Sequence, residues 1–393
     1  VNVSFFLIQI GAGLASIALA EVVRDCYHVA GHYVAPLQPF HSLHHKAYRR
    51  NLTITNLETY CKAQLYNDVP ESLVMLVATA GVWGVTQQHG FLLGCLYTLG
   101  FAVSAIARSQ GKLLWTDLTH EPGELTLIPS RWIVNRTYHW RHHFDNSNAY
   151  FSSSFTMVDK VLGTSLSLKG KVVAVTGASG SMGQALIHEL MRQGAKTIAL
   201  TTSDRLQDTD RMNVVNWQAG QETQLRDRLR QVDILVINHG INVHGDRTPD
   251  GIQASLEVNA LSAWRLAEIF FETVNDSTDR ATKELWVNTS EAEVSPAFSP
   301  LYEISKRLIG DLISLRRLDA PCVIRKIILG PFKSHLNPVG VMSASWVARM
   351  VVALAKRDVR TIIVTINPLT YLVFPLKEWG RSLYFRLFSR PTR

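Results

Sequence analysis

The feature that most limits how this chain can fold is an apolar stretch from Val69 to Ala107, interrupted by the polar run Thr86-Gln87-Gln88-His89-Gly90. A stretch of that length with a glycine-containing break predicts two helices joined by a turn, each close to the shortest that can cross a bilayer. An earlier segment, Val3 to Val23, has one acid, Glu21, near its end and predicts a further spanning helix. It lacks the basic start and small-residue cleavage site of a secretory signal. The chain starts at Val1, the mark of a fragment or of an alternative start codon. Arg24, Lys46, Arg49, Arg50 and Lys62 lie between the first and second spans, and Arg108 and Lys112 follow the third. The tendency of basic loops to stay inside makes those segments cytoplasmic and the 86–90 turn external. His89 is then separated by the membrane from the other amino-terminal histidines and is not expected to be a ligand.

From Lys169 the texture changes. Short β-branched runs at Val172–Thr176, Thr197–Thr201, Asp233–Asn238, Leu285–Asn288, Ile324–Leu329 and Thr361–Ile366 read as strands. Helix-forming stretches such as Gln184–Gln193, Ser262–Thr273 and Ser305–Leu318 lie between them. That alternation predicts a parallel, doubly wound α/β sheet. The expected organisation is an all-α, multi-pass membrane domain over 1–168, an α/β domain over 169–373 and a basic aromatic tail over 374–393.

Charge refines the picture. The chain carries a formal +8, yet residues 1–168 hold 11 basic and 10 acidic side chains against 29 and 22 in the remainder. The last twenty residues contribute five basic groups and one acid. No basic block interleaves with aromatics, so a nucleic-acid surface is not expected. In the tail, Leu376, Trp379, Leu383 and Leu387 fall at helical spacing, with Arg386 and Arg390 nearby. This is the pattern of an interfacial segment on an anionic cytoplasmic leaflet; a helix docked on the α/β domain is the alternative. The four cysteines, Cys26, Cys61, Cys95 and Cys322, form no CxxC pair and suggest a reducing compartment.

Histidine is more telling. Ten of fourteen fall in the first 168 residues, and eight of these form three clusters: His28 and His32; His41, His44 and His45; His139, His142 and His143. Positions i, i+3 and i+4 share a helix face, so each cluster is expected to aim its imidazoles at a single point. Concentrated neutral imidazoles suit iron, copper or zinc. The motifs HxxxH, HxxHH and HxxHH, ordered around an apolar hairpin, resemble the sterol desaturase/fatty-acid hydroxylase superfamily of membrane di-iron oxygenases. Asn148-Ala-Tyr-Phe and Asp159-Lys-Val-Leu-Gly163-Thr164 are similar to the segment that follows the last box. The resemblance adds His120 as a ninth ligand and implies two iron ions, an external one-electron donor, and hydroxylation or desaturation of a sterol, fatty acyl or carotenoid lipid. Where many members have His-Pro-x-Glu, this chain has Asp68-Val-Pro70-Glu71. Either Asp68 supplies an oxygen ligand or that metal position is weaker.

In the second half, Val172–Thr176 leads into Gly177-Ala-Ser179-Gly180-Ser-Met-Gly183, a glycine-rich turn between strand and helix. Such a turn lets the backbone approach a pyrophosphate at a helix N-terminus. The spacing TGxxxGxG resembles the short-chain dehydrogenase/reductase family, with a Rossmann fold. Asn238-His239-Gly240 is similar to its NAG turn, and Asn259 to its structural and proton-relay asparagine. Ser290, Tyr302 and Lys306 resemble its catalytic set, with Thr289 as a second candidate for the hydroxyl. A lysine beside a phenol is expected to depress the phenol pKa, readying it to exchange a proton with an alcohol or carbonyl oxygen. The acid usual after the third strand is absent from Asn216-Trp217, and the usual Pro-Gly is reversed as Gly330-Pro331. At the end of the second strand Thr202 and Ser203 replace the acid that would bind a free ribose hydroxyl, which favours NADP(H) over NAD(H).

A hydride carries two electrons and di-iron sites take one at a time. No flavin or iron–sulfur motif bridges the halves. Three readings stay open: oxygenation and alcohol/carbonyl interconversion of membrane lipids by the two halves, a chain in which only the reductase half acts, and a membrane scaffold without turnover.

Overall fold

The computed structural model describes residues 3–334, 337 and 339–390. Two compact units, Val1–Ser165 and Leu166–Arg393, make up the chain.

The first unit is helical. Helix α1 (Val3–Tyr33) runs past the apolar segment to include His28 and His32. Helix α2 (Gln38–Lys46) carries the second histidine cluster. The side chain of Asn56 caps α3 (Leu57–Ala63) by accepting from Thr59 N. This helix continues through a π turn, Gln64–Asp68, into α4 (Val69–Thr86). The chain turns at Gln87, in the left-handed region, and a short 3-10 segment leads to α5 (Leu92–Ser109). Three helical stretches, Val3–Tyr33, Leu57–Thr86 and His89–Ser109, are long and apolar enough to cross a membrane. Close approach explains a glycine at their turn: a Cβ on Gly90 would lie 2.2 Å from Gln9 O. Several charges within these stretches pair with one another, Arg24 with Glu21 and Glu71, and Arg108 with Asp68. Helices α6 (Arg136–Phe144) and α7 (Met157–Leu162) complete the unit. The carboxylate of Asp159 on α7 accepts from Phe151 N, Ser152 N, Tyr138 Oη and Thr164 Oγ1, which folds the 150–164 segment back on α6.

The second unit is a seven-stranded parallel sheet in the order β3-β2-β1-β4-β5-β6-β7. In chain order it comprises β1 (Val172–Thr176), α8 (Ser181–Arg192), β2 (Lys196–Thr201), β3 (Met212–Asn216), α9 (Arg226–Arg230), β4 (Ile234–Ile237), α10 (Pro249–Leu256), α11 (Ser262–Phe271), α12 (Ser277–Thr282), β5 (Glu284–Asn288), α13 (Pro300–Arg316), β6 (Val323–Leu329), α14 (Ala344–Lys356), β7 (Thr361–Val364) and α15 (Pro368–Phe388). Alternate residues feed the two faces. Val173, Val175 and Val236 join Leu186 of α8 and Val351 of α14, whereas Leu235, Leu285 and Val287 join Leu266 of α11 and Ile313 of α13. The strand-like runs omit β3, an edge strand with no fully buried residue and so without the β-branched density of the others. Strand order reverses beside β1, which pairs with β2 on one side and β4 on the other. The carboxyl ends of β1 and β4 therefore mark the switch point, the ligand position in such sheets. The tail expected from residue 374 is the end of a helix starting at Pro368, and residues 391–393 lie outside the described residues.

Candidate metal centre and candidate nucleotide site

The structure brings all nine histidines together, in two groups rather than one point per cluster. His28, His32, His41, His45 and His142 form one, and His44, His120, His139 and His143 the other. Helix geometry explains the split. Successive residues rotate by about 100°, so i and i+4 stay nearly aligned while neighbours diverge. His41 and His45 of α2 therefore point to the first group and His44 to the second. On α6, His139 and His143 point to the second and His142 to the first.

The Nε2 atoms converge. In the first group His142 lies 2.8 Å from His28 and 3.1 Å from His45, and His41 lies 2.8 Å from His32 and 3.1 Å from His45. In the second, His139 to His120 is 2.9 Å, and His143 lies 3.1 Å from both. Two nitrogens bound to one ion at right angles, each about 2.1 Å from it, are about 3.0 Å apart. Several Nδ1 atoms face acceptors: Asn67 Oδ1 at 3.1 Å from His41, Asp117 Oδ1 at 2.7 Å from His120 and Ala149 O at 2.8 Å from His142. Those partners fix the proton on Nδ1 and leave lone pairs on Nε2 aimed at one another. The donor set fits two transition-metal ions, with outer partners orienting the rings.

Electrostatics agree. Burial, assisted by neighbouring imidazoles, pushes His45 down to about 3 and holds His44, His139, His142 and His143 well below the usual range. Burial likewise takes His41 down to about 4, against the Asn67 hydrogen bond. Neutral imidazole, the ligand form, therefore prevails at neutral pH. Burial works to raise the Asp117 carboxyl, but His120, Tyr48 and Arg108 hold it well below the carboxylate range. Tyr48 stacks flat on His120 at 3.9 Å and donates to Asp117 at 2.6 Å.

Asp68 does not join either group. Its Oδ1 stands 3.7 Å from His44 Nδ1, behind the ring, and accepts from Asn67 Nδ2 at 2.9 Å. At that distance Asp68 makes no hydrogen bond to His44, whose Nδ1 is buried without a partner. A cavity of about 180 Å³ touches both groups, through His28 and His41 of the first and His44, His120 and His139 of the second, and is lined further by Arg24, Glu71 and Phe101. His89 lies apart from both groups.

In the second unit, the sheet edge gathers the remaining candidates. Gly177 has φ +63, and a Cβ there would lie 2.9 Å from His239 Cα; a Cβ on Gly183 would lie 2.2 Å from Gly177 O. Gly180 caps α8 in an extended conformation, and Ser179 O accepts from Gln184 Nε2. Thr176 Oγ1 accepts from Asn238 N at 2.8 Å and meets His239 Nδ1 at 2.8 Å, tying β1 to β4. Asn238 Oδ1 accepts from Asn288 Nδ2 at 3.1 Å. Asn259, in a second π turn (Glu257–Leu261), accepts from Ile241 N at 2.8 Å and donates to Ile241 O at 3.0 Å, fixing the chain just after Gly240. A Cβ on Gly240 would lie 2.8 Å from Asn259 Oδ1.

Lys306 and Tyr302 share a face of α13. The Lys306 ammonium lies 5.6 Å from the Tyr302 ring centroid and donates to Asn288 O at 3.3 Å. Ser290, not Thr289, hydrogen-bonds the phenol. Burial takes Lys306 down to about 8, with Glu293 acting the other way. Burial also raises the Tyr302 phenol, against the Ser290 hydrogen bond, so the depression expected from Lys306 is not present in this geometry. Asn288 Oδ1 and Thr289 Oγ1, at the end of β5, are buried without a partner. Those orphans, the glycine cradle and the start of α8 fit a dinucleotide. Thr202 is exposed and Ser203 half-buried, and the nearby Asp204 carboxylate accepts from Asn216 Nδ2 at 2.8 Å.

Comparison with known proteins agrees with this division. The family model for fatty acid hydroxylase matches residues 14–164, and that for the NAD dependent epimerase/dehydratase family matches 173–295. A protein of Synechocystis sp. (strain ATCC 27184 / PCC 6803 / Kazusa), named monoglucosyldiacylglycerol epimerase, is 54% identical over 406 residues, covering 98% of each chain. The chain belongs to the family of that epimerase. It is an enzyme in which a fatty acid hydroxylase domain is fused to an epimerase/dehydrogenase domain. Among solved structures, a short-chain dehydrogenase from Burkholderia cenocepacia J2315 in complex with NADP is 17% identical, with a TM-score of 0.47 over 57% of this chain and 100% of its own. One from Sphingobium yanoikuyae in complex with NADPH is 16% identical, with a TM-score of 0.46 over 57% and 98%.

Three groups at these sites carry no signal that the sequence patterns use. Asn67 reaches His41 because the π turn adds a residue to its helix. Trp217 is buried edge-on against His239, with ring centroids 5.3 Å apart, in the place where the acid was missed. Glu291, next to Ser290, is buried and accepts from Thr365 and Thr370.

Proposed function

We propose that the second unit epimerises a sugar carbon in the headgroup of a membrane glycolipid, by oxidising a ring hydroxyl to a ketone and reducing it from the opposite face. The observation that carries this reading is the Ser290–Tyr302–Lys306 arrangement beside the glycine cradle, in a chain 54% identical along its length to a protein named as a glycolipid epimerase. Gly177, Gly180 and Gly183 would hold a nicotinamide dinucleotide, which would supply the acceptor and donor of the hydride. Tyr302 takes the hydroxyl proton as the carbon is oxidised and returns it on reduction. Ser290 holds the oxygen by a hydrogen bond. Lys306, fixed on Asn288 O, keeps positive charge close to the phenolate, and Asn259 holds the turn that shapes the crevice. Proton and hydride leave and return, so the sugar changes configuration without net oxidation. NADP(H) is favoured because Thr202 and Ser203 offer hydroxyls and no carboxylate to a ribose phosphate, while Asp204 is engaged by Asn216.

The first unit would hold two iron ions, one in the five-histidine group and one in the four-histidine group. The four-histidine group leaves more coordination positions open, which supports it as the reactive one; the cavity touches both groups. On that geometry rests a second reading: O₂-dependent hydroxylation or desaturation of a lipid, fed by an external one-electron donor, with the histidine groups and the α/β unit on the cytoplasmic side of a multi-pass protein.

The test is purified full-length protein in proteoliposomes containing monoglucosyldiacylglycerol and NADP(H) or NAD(H), followed by headgroup sugar analysis. A new epimer that forms without O₂ and is lost in Tyr302→Phe supports epimerisation. An unchanged headgroup with a hydroxylated or desaturated lipid instead would sink it in favour of the second reading.

A further inference from the structure

Helix α15 has two faces with different partners. The inner face, Thr370, Phe374, Lys377, Glu378 and Arg381, docks on the α/β unit. Phe374 is fully buried, with the Lys326 ammonium 5.0 Å from its ring centroid. Glu378 accepts from Lys326 at 2.9 Å and from Arg317 at 3.2 Å, and Arg381 pairs with Asp311. The outer face is apolar and uncovered: Leu369, Leu376, Trp379 and Leu387 are 66%, 61%, 69% and 68% exposed. At about 1.5 Å per residue the helix offers an apolar strip some 30 Å long, far more than scattered surface leucines explain.

What covers that strip is indicated by its chemistry. Glu378 is the only acid along α15, and it points inward. Arg386 and Arg390 are exposed near the end of the helix and have no carboxylate partner among the described residues. Trp379 and Tyr384 supply the amphipathic rings that concentrate at membrane–water boundaries. The same polypeptide carries three helices able to span a bilayer, so an anionic lipid surface is within reach of this unit.

The inner face reaches further than its own core. The segment 290–295 follows β5 and begins with Ser290, whose φ is +75. Thr370 donates to Glu291, Lys377 donates to Glu293 O and Oε2 at 3.1 Å each, and Asn367 donates to Ser295 Oγ at 3.4 Å. We propose that α15 is a bilayer-docking strap: its outer face lies in the headgroup region of an anionic membrane, and its inner face clamps the Ser290 segment. Membrane engagement and the order of the site are thereby joined through one helix. In this arrangement Thr370 and Lys377 are positioning residues.

The test uses full-length protein in nanodiscs of phosphatidylcholine and phosphatidylglycerol, and its readouts do not depend on turnover. The Trp379 signal is taken as the fluorescence difference between the chain and Trp379→Phe. Brominated lipid should quench that difference strongly while aqueous iodide does not. Quenching by iodide instead, or protection from both that appears with protein concentration in detergent, would assign the face to water or to a second copy and overturn the proposal. The double variant Leu376→Glu, Leu383→Glu, at exposed positions, should leave thermal unfolding in detergent unchanged. In nanodiscs it should expose Trp379 to iodide and raise amide hydrogen exchange across 290–295 several-fold. Unchanged exchange in a variant that has lost lipid contact would break the link to the Ser290 segment.

Discussion

The two units build their sites in opposite ways. In the first, eight of the nine candidate ligands sit inside helices, where the spacing along α1, α2 and α6 decides where each imidazole goes, and His120 ends a short 3-10 turn. In the second, they sit just past strand ends, and the parallel order of β1, β4 and β5 brings Gly177, Asn238 and Ser290 to one edge. A helix site is rigid but intolerant of register change. A strand-end site takes its geometry from loops and needs clamps, which Asn259 and Glu291 supply. Both units nevertheless use a π turn where an asparagine must reach a neighbouring element, Asn67 to His41 and Asn259 to Ile241. Such turns recur at functional sites because the extra residue re-aims a side chain without ending the helix.

The contrast can be broken most sharply at Tyr302. If Tyr302 carries the proton as proposed, Tyr302→Phe should lower epimerisation by about 10²–10⁴-fold, while metal content, read by plasma mass spectrometry, stays at that of the parent. Loss of metal in this variant would show that the sites are not independent. His142→Ala takes the α6 ligand from the five-histidine group. It should empty that group and weaken loading of its neighbour, so that metal content falls by more than one ion per chain and the unfolding temperature drops, with dinucleotide affinity unchanged.

A subtler cut is Asp117→Asn, which keeps a hydrogen-bond acceptor for His120 but removes the charge. Second-sphere changes of this kind weaken metal binding by about 10–100-fold, and chelator competition would measure it. The same substitution at Asp68, 3.7 Å from His44, should cost less. A larger loss at Asp68 than at Asp117 would restore it as a ligand.

The smallest expected effect is a pH limb. Lys306 titrates near 8, lowered by burial, so its charge is present below that value and lost above it. Epimerisation should fall as pH rises through about 8, and Lys306→Arg, which stays charged, should move the limb upward even if its rate is lower.

Much of this was legible because both sites leave periodic traces. The i, i+4 spacing marks His28 with His32, and the interval from Ser290 to Tyr302 and Lys306 marks the reductase set. The division of each HxxHH between two groups leaves no mark in the motif itself, although the rotation between His44 and His45 contains it. Asn67 was hidden because a π turn looks like any helical residue in sequence. Strand β3 was hidden because an edge strand is only half-buried, and Glu291 because its partners lie about seventy-five residues away on β7's exit and α15. Long-range partners of single polar groups leave no local pattern.

Helices α2 and α6 each contribute to both histidine groups, and this has a consequence for assembly. An ion entering the five-histidine group would fix His41 and His45 on α2 and His142 on α6. In doing so it would set the orientation of His44, His139 and His143, three of the four donors for its neighbour. Loading should therefore be cooperative: a chain titrated with metal would pass from empty to doubly filled with few singly filled molecules, and native mass spectrometry would resolve the three populations.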